Sequence, residues 1–240
     1  MKAGGAKSVH RGRISPAAAE YDRKIAITMP MYGLFHTETI DLVKSIKPAP
    51  EKWLDTGCGT GNLIFLAARI FDGTTFVLAD PSPEMALIAR EKLFGPKSSL
   101  AGRARIKLLP PVASESIDLP EQEFDVVTAI QAHHYLEPSR RGAAVMNCWR
   151  LLKPGGIFIV FENIRPVTSS GTEIGLNRWK NFQIAQGKRA AEAAKHVARF
   201  GKEYLPIPIQ GHLDLLHKTG FSVAELFWFS YLQAGFYALK

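Results

Sequence analysis

The sequence predicts an α/β protein with a doubly wound, mostly parallel sheet, helices on both faces and one antiparallel strand near the C-terminus. Three observations support this fold class. Short apolar strand patterns alternate with helical patterns between residues 51 and 162. A glycine-rich turn at residues 57–61 joins the first strand to a helix. Two further strand patterns close the chain after Gly220, which allows an antiparallel strand in an otherwise parallel sheet.

The elements follow in a regular order, and we expect one domain over residues 14–240 preceded by a flexible basic arm at 1–13. Within that domain we expect a helical lid (14–50), a cofactor-binding core (51–164), a helical insertion (165–204) and a closing helix with two strands (205–240). The predicted strands are 51–55, 75–79, 104–109, 124–130, 156–162, 222–230 and 235–240. The predicted helices of the core and beyond are 61–71, 83–94, 139–152, a long polar helix at 173–202, and 212–220.

The composition limits the classes of protein to consider. The chain has 240 residues, of which 46% are hydrophobic, enough for one well-buried domain. Its two cysteines, Cys58 and Cys148, predict no disulfide framework and suit a reducing compartment. We find no secretory signal pattern at the N-terminus and no apolar run long enough for a membrane span. We therefore expect a cytoplasmic protein without membrane association.

The net charge of +8 is unevenly distributed. Residues 1–13 hold four basic residues and no acidic one, and residues 165–202 hold eight basic and two acidic ones. The region between them is nearly neutral. These basic segments could attract an anionic small molecule or RNA phosphates, or they could simply form a solvated helix face.

The glycine turn carries the strongest functional signal. Gly57, Gly59 and Gly61 let the backbone take left-handed angles and approach a ligand closely, and Cys58 lies inside the turn. A dinucleotide-binding turn has a further glycine where this chain has Asn62, which disfavours an NAD enzyme. The carboxylate of Asp55 would repel phosphate and favour a ligand that carries an ammonium and a sulfonium, as S-adenosyl-L-methionine does. A tight strand-to-helix connection without a ligand is the alternative.

An acidic residue ends the next strand pattern. Asp80 lies 23 residues after Gly57, close to the roughly 20-residue offset at which an acid in such folds meets ribose hydroxyls. We interpret Asp80 as the ribose ligand. It could also cap a helix that begins at Pro81 or Pro83.

Together these patterns resemble the class I S-adenosylmethionine-dependent methyltransferases, which have a Rossmann-like fold. The resemblance lies in Trp53–Gly61, Asp80, Ser114–Asp125 and Leu152–Glu162 and covers about residues 50–164. Many relatives carry an acid near position 113, where this chain has alanine, so Ser114 backbone groups or Glu115 are implied to bind the adenine. The implied cofactor-binding residues are Tyr21, Asp55, Gly57, Cys58, Gly59, Gly61, Asp80, Pro81, Met85, Ser114, Glu115, Ile130 and Gln131.

The segments outside the core are loosely similar to carboxy-S-adenosylmethionine synthases and related small-molecule methyltransferases. This similarity rests on Tyr21-Asp22, on Met29–Tyr32 and on the aromatic ending 221–240. It favours a small-molecule methyl acceptor. An RNA methyltransferase and a protein that binds a cofactor derivative without transferring methyl remain open, as does a homodimer formed through the helix at 173–202.

The acceptor side is less defined by sequence. His133 and His134 follow the strand that ends at Ile130, and Tyr32 lies in the predicted lid, so these three are candidate catalytic residues. The histidine pair lacks the spacing of zinc motifs, and we predict no metal. Arg178 and Arg189 are candidate ligands for an anionic acceptor, with exposed helix positions as the alternative.

Overall fold

The computed structural model describes residues 16–96, 98–100 and 105–240, without the side chains of 16–19 and 21. The predicted arm at residues 1–13 lies outside the described residues. The helices are α1 (Pro16–Thr28), α2 (Tyr32–Ile46), α3 (Asn62–Ala67), α4 (Pro83–Phe94), α5 (Pro138–Leu151), α6 (Ser169–Ala185), α7 (Ala190–Val197) and α8 (Ile209–Thr219). The strands are β1 (Lys52–Thr56), β2 (Thr75–Ala79), β3 (Arg105–Leu108), β4 (Phe124–Ile130), β5 (Leu152–Asn163), β6 (Val223–Ser230) and β7 (Gln233–Leu239).

The predicted fold class is confirmed. The seven strands form one sheet in the order β3-β2-β1-β4-β5-β7-β6. The first five strands pair in parallel, and β7 runs antiparallel between β5 and β6. The strand order reverses between β1 and β4, and ligands of open α/β sheets bind at the carboxyl ends of the strands beside such a reversal.

Helices cover both faces of the sheet, and successive side chains of each central strand point to opposite faces, so each strand contributes to two buried layers. Trp53 and Val126 pack in one hydrophobic cluster with the side chains of α2 and α3, whereas Leu54 and Val127 pack in a second cluster with those of α5 and α8. The continuous apolar strands of the sequence are explained by these two layers.

The predicted helix at 173–202 is wrong, because two helices occupy this region. The chain leaves α6 at Gln186, passes through Gly187 at φ 91° and enters α7 at Ala190. Glycine takes such a positive φ without steric cost and ends the helix there. In two other elements a boundary differs by four residues. The helix after the glycine turn ends at Ala67, and β5 starts at Leu152, before the Pro154-Gly155-Gly156 segment.

The helices α1 and α2 precede the sheet and lie over its ligand-binding edge, and we refer to them, together with the short connection between them, as the lid. The apolar face of α2 packs against the sheet, with Ile40 and Val43 buried in the core. Within the described ranges, no helix combines the length and the apolar character that a bilayer crossing requires.

Candidate functional site

A cavity of about 360 Å³ lies at the reversal point, between the carboxyl ends of the strands and the lid. Its size falls in the range of small-molecule and cofactor sites, roughly 300–1,000 Å³. The turn after β1, the residues after β2 and β4, and the lid all contribute to the wall. The lining residues are Ile25, Met29, Tyr32, His36, Asp55, Gly57, Cys58, Gly59, Thr60, Asn62, Leu63, Asp80, Pro81, Met85, Ala113, Ser114, Glu115, Ile130, Gln131, Ala132, His133, Tyr135, Leu136 and Arg140.

The glycine turn adopts the left-handed backbone that the sequence predicts. Gly57, Gly59 and Gly61 have φ angles of 65°, 53° and 76°. A Cβ on Gly57 would lie 2.5 Å from the Cβ of Ala132, so this position requires glycine for packing as well as for conformation. Gly61 does not line the cavity, since it precedes α3 and packs toward Leu93.

Asp55 is a buried carboxyl group at the start of this turn. Thr128 donates a hydrogen bond from its hydroxyl to Asp55 Oδ1 at 2.7 Å. Burial raises the pKa of Asp55 to about 7, although the hydrogen bond from Thr128 opposes this effect, and the nearby charge of Asp80 raises it further. A cationic ligand beside Asp55 would favour its ionised form.

Asp80 organises the turn from the end of β2. Its carboxylate accepts backbone hydrogen bonds from Gly59 and Ser82, both at 2.8 Å. Burial raises the pKa of Asp80 despite these two bonds. Ser82, and not Asp80, caps α4, because its hydroxyl accepts the backbone N–H of Met85. The carboxylate keeps further lone pairs, with which it could accept ligand hydroxyl groups.

Glu115 lines the cavity from the short turn after β3. Arg140 donates from Nε to Glu115 Oε1 at 2.7 Å. The other carboxylate oxygen of Glu115 is buried and has no hydrogen-bond partner. A buried carboxylate oxygen without a donor is unfavourable. A ligand amino group beside Glu115 would supply the missing hydrogen bond.

The two adjacent histidines differ in position. His133 lines the cavity, and both of its ring nitrogens are buried without a partner. Burial lowers the pKa of His133, so its ring is neutral at pH 7. His134 is not among the lining residues, and its Nδ1 lies 2.9 Å from Glu162 Oε2 in the protein interior.

The lid contributes four side chains to the cavity wall, namely Ile25, Met29, Tyr32 and His36. The rings of Tyr32 and His36 meet edge to face with centroids 4.9 Å apart. Burial lowers the pKa of His36 to about 4, the charge of Lys92 lowers it too, and Asp22 opposes this change. The lid therefore presents an apolar and uncharged surface.

A cluster of polar side chains fastens the lid to the glycine turn, and we call it the latch: Asp22, Thr60, Asn62 and Lys92. The ammonium of Lys92 donates to Asp22, Thr60 and Asn62 at 2.6, 3.1 and 2.5 Å. Thr60 and Asn62 in turn donate to Asp22 Oδ1 at 2.6 and 3.1 Å. Because Thr60 and Asn62 also line the cavity, the latch connects lid position to the ligand site.

We expect Asp22→Asn to loosen α1 and to weaken binding of S-adenosylhomocysteine about tenfold, because a charged hydrogen bond contributes roughly 1.5–3 kcal/mol. Calorimetry gives the affinity, and amide hydrogen exchange reports the opening of α1. Glu20→Gln is the matched control, since Glu20 lies on the same helix and forms only an exposed ion pair with Lys24 at 2.7 Å. Unchanged affinity and unchanged exchange in the Asp22 variant would contradict the latch.

Several sequence-predicted site residues lie elsewhere. Arg178 stacks over the ring of Tyr231, with its guanidinium carbon 4.5 Å from the ring centroid, and Arg189 pairs with Glu192 on the exposed start of α7. Neither lines the cavity, and His134 does not either. Tyr21 belongs to α1, but its side chain lies outside the described part of the structure.

The sequence analysis did not assign His36 or any of the four latch residues to the site. His36 follows Tyr32 by four positions, the helical spacing that places two side chains on one face, and this signal could have found it. Lys92 gave no such signal, because only the packing of α4 beside α3 brings it to Asn62. Within the described ranges, no group of three or more His, Cys, Asp or Glu side chains is arranged to hold a metal ion.

Comparison with known proteins identifies the kind of domain that the core of the chain forms. A family model described as a methyltransferase domain matches residues 54–158, from within β1 to within β5, and this range includes the glycine turn and Asp80. This match identifies residues 54–158 as a methyltransferase domain. S-adenosylmethionine is accordingly its cosubstrate, as the sequence predicts.

Individual relatives of the methyltransferase are distant. It is 24% identical over 223 residues to a carboxy-S-adenosyl-L-methionine synthase of Hydrogenovibrio crunogenus, covering 92% of this chain and 86% of the relative. A methyltransferase from Thermotoga maritima superimposes with a TM-score of 0.59 at 18% identity, covering 92% and 95% of the two chains. The 1,6-didemethyltoxoflavin-N1-methyltransferase of Burkholderia thailandensis has a TM-score of 0.57 at 14% identity, covering 93% and 87%.

Proposed function

We propose that this methyltransferase transfers the methyl group of S-adenosylmethionine to a small molecule. The observation that carries the proposal is the cavity itself, which is covered by the lid and walled on that side by Ile25, Met29, Tyr32 and His36. Such a covered site suits a compact acceptor. The toxoflavin-precursor methyltransferase, whose overall fold is similar, acts on a small heterocycle and adds support.

The residues of the cavity fit the cosubstrate in three places. Asp80 is proposed to accept the ribose hydroxyls and the unpartnered oxygen of Glu115 to accept the adenine amino group, with Ser114 backbone groups beside it. The carboxyl of Asp55 lies where a cationic methionine end favours its ionised form. When bound, S-adenosylmethionine supplies an electrophilic methyl group on a sulfonium. The remaining proposed contacts come from Gly57, Cys58, Gly59, Pro81, Met85 and Ile130, all of which line the cavity.

The protein's main catalytic task is to hold the acceptor in line with the methyl group and to exclude water. Where the acceptor must lose a proton, we assign the role of base to His133, because its ring is neutral and lines the cavity. Tyr32 contributes to positioning from the lid. His134 is the weaker candidate, since its ring is engaged with Glu162 away from the cavity.

We expect Asp80→Asn to weaken S-adenosylhomocysteine binding by about 10-fold to 100-fold, because a charged hydrogen-bond acceptor is lost and its bond to the Gly59 N–H weakens. Isothermal titration calorimetry measures the affinity. Asp72→Asn is the control, since Asp72 is an exposed residue just before β2. An Asp80 variant that binds like the control would remove Asp80 from the site.

The acceptor class has its own test. The protein is incubated with methyl-labelled S-adenosylmethionine and either a metabolite fraction or an RNA fraction of cells. We expect label in the metabolite fraction. Label confined to RNA would refute the proposal. The RNA alternative has less support, because basic residues of α7 and the loop before it already have partners: Arg189 pairs with Glu192, and Lys188 donates to Thr28.

A second candidate function is the formation or binding of a carboxylated form of S-adenosylmethionine. The similarity to synthases of that name over 92% of the chain favours it. Mass spectrometry of the nucleoside that co-purifies with the protein distinguishes the two candidates. A carboxylated nucleoside would support the second, and S-adenosylmethionine or S-adenosylhomocysteine would support the first.

A further inference from the structure

Gln131 is the residue that leaves β4 at the reversal point of the sheet. Its backbone is left-handed, with φ 56°, and its N–H donates to the carbonyl of Phe161 in β5 at 2.7 Å. A residue other than glycine rarely adopts this conformation, and such strain is concentrated at functional sites. The hydrogen bond to β5 fixes the direction in which the Gln131 side chain leaves the strand.

The amide group of Gln131 lacks partners. The residue lines the cavity, yet its Oε1 and Nε2 are both buried and neither forms a hydrogen bond. A buried amide without partners is costly, and it carries one acceptor and one donor group side by side. An occupant of the cavity that offers both a donor and an acceptor would satisfy the whole amide.

The surroundings of Gln131 disfavour a charged acceptor. The lid presents Ile25, Met29 and Tyr32, and His36 on the same face is held neutral by burial. Among the described lining residues, the basic side chain Arg140 is paired with Glu115. No lining cation is therefore left to neutralise an anionic acceptor.

Two of the three lining carboxylates, Asp80 and Glu115, come from other strands than Gln131, and the third, Asp55, accepts a hydrogen bond from Thr128. Asp80 lies after β2 and Glu115 after β3, on the side of the sheet where we propose the nucleoside binds. Gln131 follows β4, across the reversal point from them. Gln131 therefore enters the cavity from a different strand than the residues that we propose hold the ribose and the adenine.

We infer that the methyl acceptor is an uncharged, planar compound with a ring N–H next to a ring carbonyl, as in a cyclic amide or imide, and that the amide of Gln131 recognises this edge. Nε2 donates to the ring carbonyl while Oε1 accepts from the ring N–H. Gln131 is then an acceptor-reading residue, although the sequence assigned it to the cofactor. The inference rests on the proposed function, because it names the acceptor class of the same site.

The test compares two ligands that differ only in this edge. Lumazine carries ring N–H groups beside carbonyls, whereas 1,3-dimethyllumazine has the same ring with those N–H groups methylated. Each is titrated by calorimetry into protein saturated with S-adenosylhomocysteine, with benzoate as a planar anion. We expect lumazine to bind at least about tenfold more tightly than its dimethyl derivative or benzoate, because a site built for a polar edge rejects the analogue that lacks it.

Two variants test whether the amide of Gln131 causes the preference for lumazine. Gln131→Met keeps the length of the side chain and should abolish the preference, while the affinity for S-adenosylhomocysteine changes by less than about twofold. Gln122→Met is the matched control, because Gln122 is also a left-handed glutamine, at φ 53°, but is exposed in a turn and does not line the cavity. If Gln131→Met does not fold, Gln131→Asn replaces it, since asparagine tolerates this backbone.

The outcomes separate the inference from the proposed function. Equal binding of the two lumazines to the wild type, tighter binding of benzoate, or a preference that persists in Gln131→Met would overturn the inference. Loss of S-adenosylhomocysteine affinity in Gln131→Met would overturn it too, by showing that the amide binds the cofactor. Failure of the wild type to bind S-adenosylhomocysteine at all would instead refute the proposed function.

Discussion

Gly57→Ala is expected to destabilise the protein by about 2–5 kcal/mol and to abolish measurable binding of S-adenosylhomocysteine. The left-handed backbone at φ 65° costs an alanine about 1–2 kcal/mol. The new Cβ would also lie 2.5 Å from the Cβ of Ala132, and overpacking of this kind costs about 1–3 kcal/mol more. Relief of the clash would displace the glycine turn or the segment after β4, both of which line the cavity.

Two further variants separate backbone strain from the clash. Gly73→Ala has a similar backbone penalty, with φ 86°, but a Cβ there meets no atom within 4 Å, so we expect a loss of only about 1–2 kcal/mol. Gly57→Ala combined with Ala132→Gly removes the clashing Cβ and should recover the overpacking part. Urea unfolding gives the free energy of unfolding of the wild type, the two single variants and the double variant. A Gly57 variant no less stable than the Gly73 variant would show that Ala132 does not constrain the turn.

The predictable part of this structure is the part determined by neighbouring residues in the chain. The glycine turn and the end of β2 are local features, so Asp80 could be placed at the ligand-binding edge from its spacing to Gly57 alone. The left-handed angles at Gly57 and Gly59 follow from the residue type. Parallel order followed from the alternation of strands and helices, and the antiparallel β7 followed from two closing strand patterns.

The remaining features depend on side-chain direction and on contacts between distant segments. His133 and His134 are adjacent, yet only the first lines the cavity, because the turn after β4 directs the second toward Glu162. The basic residues of 165–202 suggested an acceptor site, but a break at Gly187 gives two helices, and neither brings Arg178 or Arg189 to the cavity. Periodicity does not reveal such a break or the packing that follows from it.

Substitution of Glu162 should have the second large effect on stability, although Glu162 does not line the cosubstrate cavity. It is fully buried near the end of β5 and accepts the backbone N–H of His133 at 2.9 Å and a hydrogen bond from His134 Nδ1, also at 2.9 Å. The guanidinium of Arg141 is buried nearby and donates to the carbonyl of His133. The carboxylate therefore holds the segment after β4, including His133, in place.

Glu162→Ala leaves these groups without their acceptor, and we expect a loss of about 3–5 kcal/mol of stability. Glu162→Gln retains an amide oxygen for the His133 N–H, and His134 can change tautomer to accept from the new amide, so we expect a loss of about 1–2 kcal/mol. Glu225→Gln is the control, because Glu225 is exposed on β6. Similar stabilities of the alanine variant and the control would contradict this role.

The pH dependence tests the charge on Glu162. Burial alone would raise its pKa, but the charge of His134 and the hydrogen bond from its ring, with contributions from His133 and His212, lower the pKa from 4.5 to about 2. Because the folded pKa lies below the unfolded one, the ionised carboxylate stabilises the fold above about pH 4.5, and this stabilisation is lost as the pH falls toward 2. The difference in unfolding free energy between wild type and Glu162→Gln should therefore shrink from about pH 5 to about pH 3. A difference that stays constant over this range would mean that the buried group is not ionised in the folded protein.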